Sequence, residues 1–229
     1  MEKITKPLDA KDKAGIFTEG INYFVTGENS IWGKGDKETL EFLDKEEIKG
    51  KWLNLASGDG RYNLNLLKKA NFVVASDIDE SALSKLWHTT PEEYRNKLET
   101  KVFDIVKPFP FEGNSFDGIF CAGTLHLFPV EVFKKIIKEI DRILKPGGKI
   151  IIDFATDIKR ISSEGKLITF GDEPLYTLEE AKILLKELFK DYKTMINELS
   201  VFEEDFKACN PPYKFTCRGV LLVAEKVNR

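Results

Sequence analysis

A short apolar run, Trp52-Leu53-Asn54-Leu55, leads into the small residues Ala56-Ser57-Gly58-Asp59-Gly60. Such a turn lets backbone come close to a ligand, and the helix expected behind it offers N–H groups with no partner of their own. Asp77 ends the next apolar run, Val73-Val74-Ala75-Ser76, 19 residues after Gly58. A strand–turn–helix–strand unit of that length sets a carboxylate beside the turn, where it can accept hydrogen bonds from ribose hydroxyls. Asp79 reads instead as the cap of a helix beginning near Ser81. The dinucleotide fingerprint fails, because Asn63 stands where its third glycine belongs.

Groups suited to acid–base work are few. His126 follows the apolar run 116–121 and is the candidate base, weighed against a place in the wall of a substrate pocket. His88, at the end of a helical segment, reads as a cap or surface residue. Cys121, Cys209 and Cys217 are odd in number and show no CxxC spacing. A metal site is therefore not expected, and reduced thiols in a cytoplasm are, with a Cys209–Cys217 bridge across a hairpin as the lesser reading.

These residues need a scaffold that brings strand ends together. Apolar runs at 52–55, 72–76, 98–103, 116–121 and 149–154 alternate with helical patterns at 62–70, 81–88, 130–144 and 178–189. Alternation of that kind predicts βαβ units and a parallel sheet covered on both faces. Thr177-Leu178-Glu179-Glu180 spells a capping box for the last helix. The tail differs: 194–202 and 216–226 are strand-like with no helix between them, so an antiparallel hairpin is expected. Residues 1–50 are polar and helical in tendency, without a strand pattern; Asp36 is a candidate N-cap for a helix presenting Thr39, Leu40 and Leu43 on one face.

Composition narrows the function. The 229 residues carry 35 Lys+Arg against 38 Asp+Glu, a net charge of -3, and 42% are hydrophobic. That is enough apolar material for a core and excludes disordered and collagen-like classes. No apolar run approaches the ~20 residues that span a bilayer, and no signal peptide is visible behind the polar N-terminus. Near-neutral charge argues against a partner held through nucleic acid phosphates. The charged set contains 29 Lys to 6 Arg and the chain has no Gln, a bias that points to a thermophilic source. A melting temperature near about 50 °C, ordinary for a mesophile, would overturn that expectation.

Four segments, 53–60, 74–79, 104–126 and 141–149, resemble in order and spacing those of class I S-adenosylmethionine-dependent methyltransferases of the small-molecule, ubiquinone-biosynthesis-like type. The resemblance covers roughly residues 50–155. It implies a Rossmann-like, seven-stranded, mostly parallel α/β sheet with a C-terminal antiparallel hairpin, residues 51–229 forming the methyltransferase domain and residues 1–50 an N-terminal helical lid. It further implies S-adenosylmethionine as cofactor, S-adenosylhomocysteine as product, and a small-molecule methyl acceptor.

By the same resemblance, Ala56, Ser57, Gly58 and Gly60 line the methionine and ribose portions. Asp77 holds the ribose hydroxyls and Ile78 packs on the adenine. Asp104 accepts from the adenine amino group, Ile105 covers the other face of the ring, and Ala122 and Gly123 border the methionine. Lys145-Pro146-Gly147-Gly148 is the turn before the fifth strand. Tyr23, Trp32 and Lys34 are candidate lid contacts, weighed against packing on the domain's own surface. Residues 155–176 form a second substrate wall, whose Lys159, Arg160 and Lys166 either meet an anionic substrate or, as is commoner for such a run, stay solvated.

Asn54 departs from the pattern, since the family usually has an acid there. A charged acceptor is worth about 1–2 kcal/mol more than a neutral one, so a compensating carboxylate is expected, with Asp59 the candidate. Asn210-Pro211-Pro212-Tyr213 spells a motif that amino-methyltransferases place directly after the fourth strand; here it falls in the tail hairpin and reads as an ordinary loop. Methyl transfer from a sulfonium is an in-line displacement whose leaving group needs no proton, so alignment can supply about 7–11 kcal/mol of the acceleration. An RNA or protein methyltransferase and a non-catalytic cofactor-binding protein are the alternatives.

Overall fold

Runs of Val, Ile, Leu and Phe bounded by Gly, Asn or Asp become strands, and the amphipathic stretches between them become helices. A computed structural model describes residues 3–6, 21–171, 173–209 and 211–227. In chain order the elements are β1 (Lys3–Lys6), a 3-10 turn (Tyr23–Thr26), α1 (Lys37–Lys45), β2 (Lys51–Leu55), α2 (Asn63–Leu67) and β3 (Phe72–Asp77). There follow α3 (Glu80–Thr89), α4 (Glu92–Arg95), β4 (Leu98–Val102), β5 (Phe116–Ala122), a second 3-10 turn (Leu125–Leu127) and α5 (Val130–Ile143). The chain then forms β6 (Leu144–Ser162), β7 (Leu167–Phe170), α6 (Leu178–Leu188), β8 (Tyr192–Phe206) and β9 (Tyr213–Lys226).

The strands form one sheet in the order β1-β7-β6-β5-β2-β3-β4, with β9 on the other edge of β6 and β8 on β9. Parallel pairing runs from β4 through β3, β2 and β5 to β6. The expected antiparallel hairpin is β8–β9. Seven strands were expected and nine are present among the described residues. Both extra strands follow from the length of β6. Beyond Phe154, β9 keeps supplying hydrogen-bond partners as far as Ser162↔Tyr213, so β6 outruns β5. Gly165, at φ +76°, then turns the chain back so that β7 takes the edge left free at Ile161. β1 adds to β7 in parallel.

That strand and the glycines also correct the expectation of a helical segment over 1–50. Among its described residues only α1 is α-helical. Gly27, Gly33 and Gly35 all take positive φ, which breaks any longer helix. Lys145–Gly148 is a bulge in β6, looped out between Leu144, which faces Phe116, and Lys149, which faces Gly118.

Alternating side chains send β2 to two cores. Leu53 and Leu55 pack with the buried stripe Phe133, Ile136, Ile140 and Ile143 of α5. Trp52 packs on the other face with Tyr62, Leu66, Phe120 and Ile151. Each buried aliphatic or aromatic side chain contributes about 1.5–3 kcal/mol. Gly118 is required by this packing, since a Cβ there would lie 2.3 Å from the Trp52 ring. The caps behave as expected: Asp36 accepts from Thr39 N at 2.8 Å, Asp79 from Ser81 N at 2.8 Å, and Thr177 and Glu180 close the capping box.

Candidate functional site

The turn after β2 is held open by backbone geometry. Ala56 and Gly58 have φ of +53° and +54°, a left-handed conformation that costs a side-chain-bearing residue about 1 kcal/mol or more. Ser57 N donates to Ser76 O at 2.7 Å and Gly58 N to Asp77 Oδ2 at 2.7 Å, tying the turn to the end of β3. A Cβ on Gly58 would meet Trp32 Nε1 at 3.1 Å, so glycine is what lets Trp32 sit on the turn.

A cavity opens above the C-terminal ends of β2, β3, β5 and β6. Asn54, Ala56, Ser57, Gly58, Asp77, Ile78, Ile105, Ala122 and Gly123 all line it, as do Tyr23, Trp32 and His126. Three predicted residues lie elsewhere. Gly60 backs onto α3, where a Cβ would meet Leu86 at 2.9 Å. Asp104 turns into its own loop and accepts from Val106 N at 3.0 Å. Lys34 is exposed.

Burial dominates the electrostatics. Asp77 is pushed up to about 6 by desolvation, opposed by hydrogen bonds from the N–H groups of Asp79 and Gly58. His126 is pushed down to about 3, first by burial and then by Arg160 and Arg61, so its imidazole is neutral. Its Nδ1 has no partner, and the ring stands edge-on to Phe154 at 6.0 Å.

Asp59 does not stand in for the acid missing at Asn54. It lies outside the cavity walls and accepts from Ser30 Oγ at 2.5 Å, Ile31 N at 2.8 Å and Lys85 Nζ at 2.9 Å. Lys85, wholly buried, also donates to Thr26 Oγ1 and Asn29 O. A charge taken from water needs an opposite charge and full hydrogen bonding, so this pair pins residues 26–31 against α3.

The outer end of the cavity is aromatic, lined by Phe170, Phe202, Phe206, Tyr213 and Phe215. Arg160 stacks on Phe170 at 4.2 Å and pairs with Glu173 at 2.6 Å, both side chains buried. Of the two readings of these charges, Lys159 fits the solvated run and Arg160 fits neither. Glu173 neutralises Arg160, Lys159 is exposed, and Lys166 pairs with Glu164. Pro211 and Pro212 lie in the loop before β9, and Tyr213, the first residue of that strand, lines the cavity; Asn210 lies outside the described residues. Cys121, Cys209 and Cys217 are buried, and no disulfide joins the last two.

Sequence reasoning missed Arg61, Tyr62, Asp36 and Asp153, all in the cavity wall. Asp153 had a usable signal: one acid inside the buried run Ile150-Ile151-Ile152-Asp153-Phe154 is conspicuous. Among the described residues no group of acidic, Cys or His side chains is arranged to hold a metal ion. No helix among them is long and apolar enough to cross a membrane.

The sequence profile of a methyltransferase domain matches residues 53–152. A demethylmenaquinone methyltransferase from Corynebacterium glutamicum is 27% identical over 166 residues, 69% of this chain and 66% of that protein. The chain thus spans just under two thirds of that relative's length. An uncharacterized protein of Methanocaldococcus jannaschii is 32% identical over 168 residues, 69% of this chain and 73% of the relative. Among solved structures, an S-adenosylmethionine-dependent methyltransferase from Methanosarcina mazei superposes with a TM-score of 0.60 at 18% identity, over 85% of this chain and 100% of that one. At that identity the likeness speaks for the fold.

Proposed function

Because the chain belongs to the class I S-adenosylmethionine-dependent methyltransferases of the ubiquinone-biosynthesis type, we propose that it moves a methyl group from S-adenosylmethionine to a small-molecule acceptor. The observation that carries this reading is Asp77, a buried carboxylate drawn against Gly58 N in the floor of a cavity that both residues line. A carboxylate there accepts from two ribose hydroxyls, and Ile78 and Ile105 offer apolar surface to a purine. Asp36, Asp77 and Asp153 also give the cavity the acidic character that suits a ligand carrying net positive charge.

When bound, the cofactor supplies an activated methyl group on a sulfonium, whose departure as a neutral thioether needs no acid. The residues of this chain then have one principal task, to align the acceptor and exclude water. Ala122 and Gly123 leave space beside the acceptor, and the aromatic compartment favours a flat ring. The neutral Arg160–Glu173 pair suits an uncharged ring better than a carboxylate or phosphate. The relative that acts on demethylmenaquinone supports a quinone-like ring as acceptor. Titration calorimetry with S-adenosylhomocysteine should show binding, and quinol acceptors should be methylated ahead of RNA or protein. Absence of binding ends the reading; methylation confined to RNA or protein reassigns the acceptor.

A further inference from the structure

Two opposite charges in the cavity wall, Arg61 and Asp153, feel each other's field but form no ion pair with each other or with another described residue. Asp153 is buried, and its Oδ2 accepts from Thr39 Oγ1 at 2.9 Å and, at the longer distance of 3.4 Å, from Tyr62 OH. Its Oδ1 takes no hydrogen bond from any described residue. Arg61 donates through Nη1 to Trp32 O at 2.8 Å, and no described carboxylate lies within ion-pair distance of it. Its Nη2 approaches Gly123, where a Cβ would stand only 3.2 Å away. Tyr62 separates the two charges, with the guanidinium over its ring at 4.9 Å and Asp153 at its hydroxyl.

A half-buried cation and a buried anion on one cavity wall would ordinarily close into an ion pair, and here they do not. Held apart on one cavity wall, they complement a ligand that brings one charge of each sign. The other acids of the cavity are engaged: Asp77 with the glycine turn, and Asp36 through Oδ1 with the N-terminus of α1. Asn54 is neutral and donates to Asn63 Oδ1 at 3.1 Å.

We propose that Arg61 and Asp153 form a clamp for the α-amino-acid end of the cofactor, the guanidinium taking its carboxylate and Asp153 its ammonium. Asp153 thus supplies the charge that Asn54 lacks, from a different strand. The clamp rests on the cofactor reading above, and it explains why an asparagine is tolerated on β2. It also tells S-adenosylhomocysteine from 5′-methylthioadenosine, a thioether nucleoside without the amino-acid end.

Calorimetry with these two ligands tests it. Wild-type protein should bind S-adenosylhomocysteine at least about 100-fold more tightly than methylthioadenosine, the effect of two charge-assisted contacts. Asp153→Asn keeps an acceptor for Thr39 while removing the charge, and should weaken S-adenosylhomocysteine about 10- to 100-fold with methylthioadenosine unchanged. Arg61→Gln, at a half-buried position, should do the same independently and guards against a folding defect in the first variant. Equal losses for both ligands, or no loss for either, would overturn the clamp. Failure of wild-type protein to bind either ligand would instead overturn the cofactor reading.

Discussion

At Asp77 a single carboxylate is both the cost of the site and the reason for it. Burial lifts it from 3.8 to about 6, so its favourable contribution to folding is full below 3.8 and is lost as pH rises through about 6. On the proposed reading the ligand has the opposite preference, because a charged carboxylate accepts from two ribose hydroxyls. Tyr23, Asp79 and Cys121 are titratable groups that interact with it, and the Gly58, Ile78 and Asp79 N–H groups face it. We therefore expect affinity for S-adenosylhomocysteine to fall about tenfold for each pH unit below 6, a trend that calorimetry between pH 5 and 8 would reveal or refute. Gly58→Ala should weaken the same ligand by about tenfold or more, because the new methyl group meets Trp32 and the backbone is left-handed. His126, held neutral with its value pushed to about 3, is a poor proton acceptor. The pH profile of kcat should accordingly show no limb near 6.5, and His126→Asn should keep turnover within about tenfold of wild type.

Elements place these residues, and two of them depend on a contact far from the chemistry. The segment that carries Tyr23 and Trp32 is fixed by Lys85 on α3 through Asp59 and the backbone of Asn29. Lys85→Met leaves Asp59 buried without its cation and should cost about 3–5 kcal/mol in denaturant unfolding. Adding Asp59→Leu should recover much of that loss; if the double variant is no more stable than the single, the charge pair is not what holds the segment. The stripe of α5 is ordinary core by comparison. Ile140→Ala should cost about 2–5 kcal/mol and leave ligand affinity unchanged, since Ile140 touches only the face opposite α1–α3. Both helices were legible from their periodicity. Their partners were not, because nothing near Asp59 in sequence points to Lys85.

Across the whole molecule, long strands do what insertions do in other layered folds. β6, β8 and β9 run past the parallel sheet together, and their outer halves with β7 wall an aromatic compartment. Its sulfur is reduced, so reductant should leave the melting temperature unchanged; a fall would reveal a bridge between Cys209 and Cys217. The local chain determined a good deal by itself. The glycine turn, Asp77 at its fixed spacing, the alternation of strand and helix, the tail hairpin and three helix caps all rest on residues close in sequence. Local backbone preference and side-chain period suffice for those. The tertiary structure decided what distance in sequence conceals. Asp59 holds residues 30 and 31 through its own hydrogen bonds and pairs with Lys85, Arg160 is neutralised by Glu173, and Arg61 shares a cavity wall with Asp153, 91 positions beyond Tyr62 and in contact with it. Whether a buried charge is free or satisfied depends on partners from other strands and helices, and only packing brings those together.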